Sequence, residues 1–108
     1  MGKKGAKLTA VAGEAAATLV QSLQPLGDVS SKKMFGGHGI FAGGKMFALI
    51  DSSGGVFFKA DDANRAQFEA AGSEQHGRMP YFAVPGAVLA DEAELHKWAL
   101  MSMAIARQ

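Results

Sequence analysis

Apolar positions along this chain change their period twice. From Leu8 onward, Leu8, Val11, Ala12, Ala15, Leu19 and Leu23 recur every three or four residues, the stripe of an amphipathic helix. Thr9 can cap it, Gly13 costs it a little, and Pro25 with Gly27 stops it, which predicts a helix over residues 9–24. Residues 1–7, MGKKGAK, precede it as a basic arm expected to be flexible. Beyond Asp28 the spacing shortens. Gly39-Ile40-Phe41-Ala42, Met46-Phe47-Ala48-Leu49-Ile50 and Val56-Phe57-Phe58 are short apolar runs divided by Gly36-Gly37, Gly43-Gly44 and Gly54-Gly55. Glycine enters the positive-φ region that tight turns need, so the segment reads as an antiparallel meander with strands at 29–35, 45–50 and 56–59 and another between the first two. The runs at 45–50 and 56–59 are apolar on both faces. Helices are the expected cover on one side, and a partner subunit is a candidate for the other.

Helical spacing then returns. Asp61 or Asp62 opens a helix over 62–71 that Gly72 can end. A polar loop over 72–78 leads to a fifth strand over 79–84, which Pro80 and Pro85 confine to an edge. Asp91-Glu92-Ala93-Glu94 begins a last helix over 91–106, with Leu95, Trp98, Ala99, Ser102, Ile105 and Ala106 at helical intervals and Arg107 suited to its negative end. The expected fold is α+β, an antiparallel β-meander of four to five strands with three helices packed on it, residues 8–108 forming one domain.

Composition narrows the functions open to such a domain. The chain's 108 residues suffice to bury a core, and with no cysteine there is no disulfide, thiolate nucleophile or cysteine-based zinc site. Eleven basic against ten acidic residues leave a net charge of +1, too balanced for a protein that lives by phosphate neutralisation. No apolar run approaches the roughly 20 residues of a membrane span, and no signal core follows the basic start, so a cytoplasmic location is expected.

Candidate chemistry concentrates at Gly36-Gly37-His38-Gly39. Glycine amides can cradle an anion, but no helix start or nucleophile motif accompanies them, so the plainer reading is a hairpin turn or bulge carrying an exposed histidine. His38, His76 and His96 lack metal-ligand spacing, and His96 beside Lys97 reads as a surface residue. Tyr81, Arg78 and His76 share one segment that could form a small polar site. Asp61-Asp62 and Asp91-Glu92-Glu94 are explained by helix starts. Lys32, Lys33, Lys45 and Lys59 beside Phe35, Phe41, Phe47 and Phe57-Phe58 allow a base-stacking surface, although dense strand phenylalanines are more often core. Met34, Met46, Met79, Met101 and Met103 would by default pad that core, or else form an adaptable contact surface.

Lys33-Met34-Phe35-Gly36-Gly37-His38-Gly39-Ile40-Phe41, Gly44-Lys45-Met46-Phe47-Ala48-Leu49, Phe57-Phe58-Lys59 and Met79-Pro80-Tyr81-Phe82-Ala83-Val84-Pro85 together resemble the N-terminal domain of the TfoX/Sxy family, bacterial regulators linked to natural competence. The ordered series extends the likeness over nearly the whole chain. The resemblance implies an α+β regulatory domain with no catalytic residue and no cofactor. Longer members carry a second, C-terminal domain, so this sequence, ending at Gln108, is expected to be a stand-alone N-terminal domain.

The leading expectation is therefore a non-enzymatic module acting through protein contacts in transcriptional regulation, with a homodimer or the transcription machinery as candidate partners. Its candidate surface is Lys33, Met34, Phe35, Gly36, Gly37, His38, Gly39, Phe41, Met46 and Tyr81. Direct nucleic-acid binding through Lys3, Lys4, Lys7, Lys32 and Lys33 is the alternative, and an anionic-ligand or enzyme-like site at residues 36–39 ranks third.

Overall fold

Glycine-broken hairpins build the sheet. The computed structural model describes residues 3–34 and 36–108, with side chains from Val11 onward. Strands β1 (Val29–Met34), β2 (Gly37–Ala42), β3 (Lys45–Ile50), β4 (Val56–Lys59) and β5 (Tyr81–Ala83) lie side by side in chain order, each neighbouring pair antiparallel. β3 and β4 have the expected limits. The first hairpin turns through Gly36 (φ 77°) and the second through Gly43 and Gly44 (φ 57° and 84°). In the turn after β3, one Asp51 carboxylate oxygen accepts from the Ser53 amide, the Ser53 hydroxyl and the Gly55 amide at 2.7–3.0 Å.

A bulge between β2 and β3 decides what is buried. Ile40 faces Ala48, while the next residue, Phe41, faces Met46, so Phe47 is the extra residue. Phe47 and Ala48 are consecutive yet both belong to the main core, whereas regular alternation would send them to opposite faces of the sheet.

Helices α1 (Lys3–Leu23), α2 (Arg65–Ala70), α3 (Gly86–Leu89) and α4 (Glu92–Ala106) complete the fold. Ala12, Ala16, Leu19 and Leu23 of α1 join Leu95, Ala99 and Met103 of α4 over Ile40, Ala48, Ile50, Phe58 and Phe82 of the sheet in one core. α1 starts at Lys3, earlier than residue 9, so the backbone expected as an arm is helical from Lys3; Met1 and Gly2 lie outside the described residues. Val11, expected on the apolar stripe, is 41% exposed.

The remaining helices follow local chemistry. α2 begins later than residue 62 because Asp61–Asn64 close a turn of their own: Asn64 Oδ1 accepts from the Asp61 amide at 2.9 Å, and Asp61 Oδ1 accepts from the Ala63 amide at 2.8 Å. α3, one short turn launched by Pro85, was not expected at all. α4 has the predicted cap, Asp91 Oδ1 accepting from the Glu94 amide at 3.2 Å. β5 is an edge strand, as Pro80 and Pro85 imply, but shorter than 79–84. Its outer side is partly covered by residues 74–76, which pair with it through the His76 amide to the Tyr81 carbonyl and the Ala83 amide to the Glu74 carbonyl.

Candidate functional site

Strand alternation sorts the meander into two faces. Ile40, Ala48, Phe58 and Phe82 stand in register across four strands and face α1 and α4. Their neighbours Gly39, Leu49, Phe57 and Ala83 form the adjacent row, on the face away from those helices. Met34, Phe41, Met46 and Tyr81 lie on the same side. Met34, Phe41, Met46 and Phe57 are half-buried, Met79 is 40% exposed, and Leu49 and Tyr81 are buried without belonging to the main core. The loop before β5 folds over this face and sets the His76 ring edge-on to Phe57, 4.7 Å between centroids. A cavity of about 420 Å³ opens there, lined by Met34, Met46, Leu49, His76 and Met79 together with His38 and residues 50–52.

Gly39 is the floor of this face. A Cβ built on it would stand 2.6 Å from Met34 Sδ, 3.1 Å from Met46 Sδ and 3.1 Å from Phe41 Cε1. Three long side chains therefore meet over one missing side chain. Gly37 has a different reason to be glycine: a Cβ there would run into the carbonyl of Ile50. The turn reading of residues 36–39 is thus corrected. Gly36 alone is in the turn, while Gly37, His38 and Gly39 belong to β2, an inner strand whose amides face β1 and β3. That placement also leaves the glycines poorly disposed to cradle an anion.

His38 is not the exposed residue expected. It is half-buried and helix-facing, its Cε1 4.0 Å from where a Cβ on Gly13 of α1 would lie. Its Nδ1 is buried without a hydrogen-bond partner among the described residues. His96 is also less superficial than expected, its Nε2 donating to the Ser22 carbonyl at 2.8 Å and lying 3.9 Å from Glu92. Among the described residues no three of His, Asp or Glu gather as a metal would require.

The small polar site imagined around Tyr81 does not assemble. Arg78 is exposed, His76 packs on Phe57, and Tyr81 turns its hydroxyl to the Met46 carbonyl at 3.4 Å, with Lys59 Nζ 5.9 Å from its ring centroid. Burial raises the Tyr81 pKa above its ordinary value near 10. Lys32 and Lys33 are exposed on the edge strand β1, but Phe47 and Phe58 are core, which leaves Phe41 and Phe57 of the proposed stacking residues; Phe35 lies outside the described residues. Of the methionines expected to pad the core, Met103 does so, whereas Met79 and Met101 are exposed and Met34 and Met46 half-buried.

Leu49 belongs to the surface without being any kind of candidate, while Phe57, His76 and Met79 enter the sequence reading only through the stacking, polar-site and methionine alternatives. The period of two already placed Leu49 and Phe57 on alternate faces from Ala48 and Phe58. What hid them was the unbroken apolar character of both runs. His76 and Met79 reach the face by a loop whose path no local pattern states.

These features define a single-sheet α+β domain, helix-covered on one side and apolar on the other. The model of the TfoX N-terminal domain matches residues 21–106, and the chain belongs to that family. No curated protein matches the sequence. Among the described residues no helix is long and apolar enough to cross a membrane.

Proposed function

We propose that this chain is a non-enzymatic regulatory domain of the cytoplasm that acts through protein contacts, in transcriptional control, and that the open sheet face is its contact surface. The carrying observation is the set of exposed or half-buried Met34, Phe41, Met46, Phe57 and Met79 on a face that no helix covers among the described residues. Flexible thioethers and aromatic rings re-pack against different partner surfaces, which suits a regulatory contact better than a rigid substrate pocket. Membership of the TfoX N-terminal domain family agrees with a role in regulation. A second copy of the chain and a component of the transcription machinery are both candidate partners.

The test is complementation. In a strain lacking the gene, the wild-type chain should restore the altered transcript profile, while Phe41→Glu and Met46→Glu should fail although both proteins keep the wild-type circular dichroism. If both variants restore the profile fully, the open face is not the contact.

Direct nucleic-acid binding remains a second reading because Lys32 and Lys33 are both exposed on an edge strand, one on each face of the sheet. It predicts an affinity that falls steeply with salt, and no mobility shift at low ionic strength would retire it.

A further inference from the structure

The cavity on the open face carries an unusual set of donors. Three of the chain's six methionines, Met34, Met46 and Met79, line it together with His76. The geometry points to a binding site for a soft monovalent cation, Cu(I), with Ag(I) as its redox-inert stand-in, held by these three thioethers and one imidazole. The site shares Met34, Met46 and Met79 with the contact surface proposed above but does not depend on that reading, and Phe41, which has no donor, separates the two: Phe41→Glu should disturb the contact and leave metal binding in place.

Convergence is the first argument. Met34 Sδ and Met46 Sδ lie 2.6 and 3.1 Å from one point above Gly39, so they are at most 5.7 Å apart, the sum of those distances. In a four-donor site, metal–sulfur bonds of about 2.3 Å put two sulfurs about 3.8 Å apart, so Met34 Sδ and Met46 Sδ need to close by no more than about 2 Å. Methionine has three rotatable bonds, so this adjustment is a matter of rotamers and leaves the backbone in place. Gly39 supplies the room, since any side chain there would push both sulfurs aside.

Donor chemistry is the second. Thioethers and neutral imidazole are soft or borderline and carry no charge, which favours Cu(I) and Ag(I) over Mg(II), Ca(II) or Zn(II). The chain has no thiol to compete for such an ion. Asp51, the one carboxylate lining the cavity, already has one oxygen committed to three hydrogen bonds in its own turn. His38 also lines the cavity, but its ring lies toward α1, with Cε1 4.0 Å from where a Cβ on Gly13 would stand, so the imidazole assigned to the site is that of His76.

The experiment uses the full chain with ¹³C-labelled methionine methyls, titrated with Ag(I), and with Cu(I) under anaerobic conditions against a chromogenic Cu(I) chelator. One equivalent should move the methyl signals of Met34, Met46 and Met79 and leave Met101 and Met103 in place. Met34→Leu and Met46→Leu should each weaken binding roughly tenfold or more, with the thermal midpoint nearly unchanged. Met79→Leu, at an exposed position, repeats the test where folding is least at risk. Zn(II) should move none of the three. The proposal fails if excess Ag(I) leaves these methyls unmoved, which makes the cluster packing only, or if binding survives the Met34→Leu/Met46→Leu pair. It fails equally if Zn(II) competes at the same methyls.

Discussion

The Ser102 hydroxyl, fully buried in α4, donates to the carbonyl of Lys59 at 2.8 Å, where β4 leaves the sheet. The same carbonyl accepts from Asn64 Nδ2 at 3.2 Å. Ser102 and Asn64 are the buried polar side chains of the described residues, and both serve one oxygen. A strand-end carbonyl that has lost its ladder partner is costly under a helix, and these two donors satisfy it. Ser102→Ala should therefore cost about 1–2 kcal/mol in urea unfolding. Asn64→Ala should cost at least as much, since it also removes the acceptor for the Asp61 amide. The double variant should depart from additivity, because either donor alone partly satisfies the carbonyl. A neutral Ser102→Ala would show the bond to be dispensable.

The glycines of the first two hairpins should rank by what lies around them. A Cβ on Gly37 meets the backbone carbonyl of Ile50, which cannot yield without parting β2 from β3, so Gly37→Ala should prevent folding or cost above about 3 kcal/mol. At Gly39 the obstacles are the ends of flexible side chains, and Gly39→Ala should cost an intermediate amount while pushing Met34 and Met46 outward. Gly43 has open space but φ 57°, so Gly43→Ala should lose only about 1 kcal/mol, from backbone strain. Equal losses at all three positions would show that conformation, not space, governs the motif.

Most of the sheet was legible because its signals are local. Gly43-Gly44 and Gly54-Gly55 mark turns by their conformational freedom, and β3 and β4 fall where the apolar runs predict them. Residues 36–39 misled for the same local reason. Glycine pairs announce turns, yet here Gly37 and Gly39 answer to atoms of Ile50, Met34 and Met46 that lie far along the chain or across a hairpin. The bulge at Phe47 was equally hidden, since an all-apolar strand shows no break in alternation when one residue is inserted. The His96–Ser22 bond joins residues 74 positions apart, and no spacing rule reaches that far.

The chain's single tryptophan gives a local probe of α2. Phe68 is fully buried between Phe82, 5.7 Å away and nearly parallel, and Trp98, 4.9 Å away and edge-on. α2 has six residues, too short to persist in water without such an anchor. Phe68→Ala should cost about 3–5 kcal/mol and red-shift the Trp98 emission as the ring loses its cover. Phe68→Leu, which keeps most of the volume, should cost clearly less. Unchanged emission in Phe68→Ala would mean that Trp98 does not depend on α2 for its environment.

Tyr81 predicts how stability should respond to alkali. Its ring is buried on the open face beneath Lys59, and burial disfavours the phenolate, so its folded pKa lies above the unfolded value near 10. The sign follows from proton binding. Below that pH both states keep the phenolic proton, and Tyr81 contributes no pH dependence. Above it the unfolded chain ionises while the folded chain retains its proton, so the unfolded state binds fewer protons and stability falls as pH rises, until the folded pKa is passed. The loss attributable to Tyr81 is at most about 1.4 kcal/mol per pH unit in that window. Tyr81→Phe removes a long hydrogen bond of 3.4 Å and should cost under about 1 kcal/mol at pH 7. Between pH 10 and the folded pKa it should lose less stability per pH unit than the wild type, so the two curves converge. Urea midpoints measured from pH 7 to 11 decide the matter: parallel curves would mean that the Tyr81 hydroxyl titrates in the fold as it does in the unfolded chain.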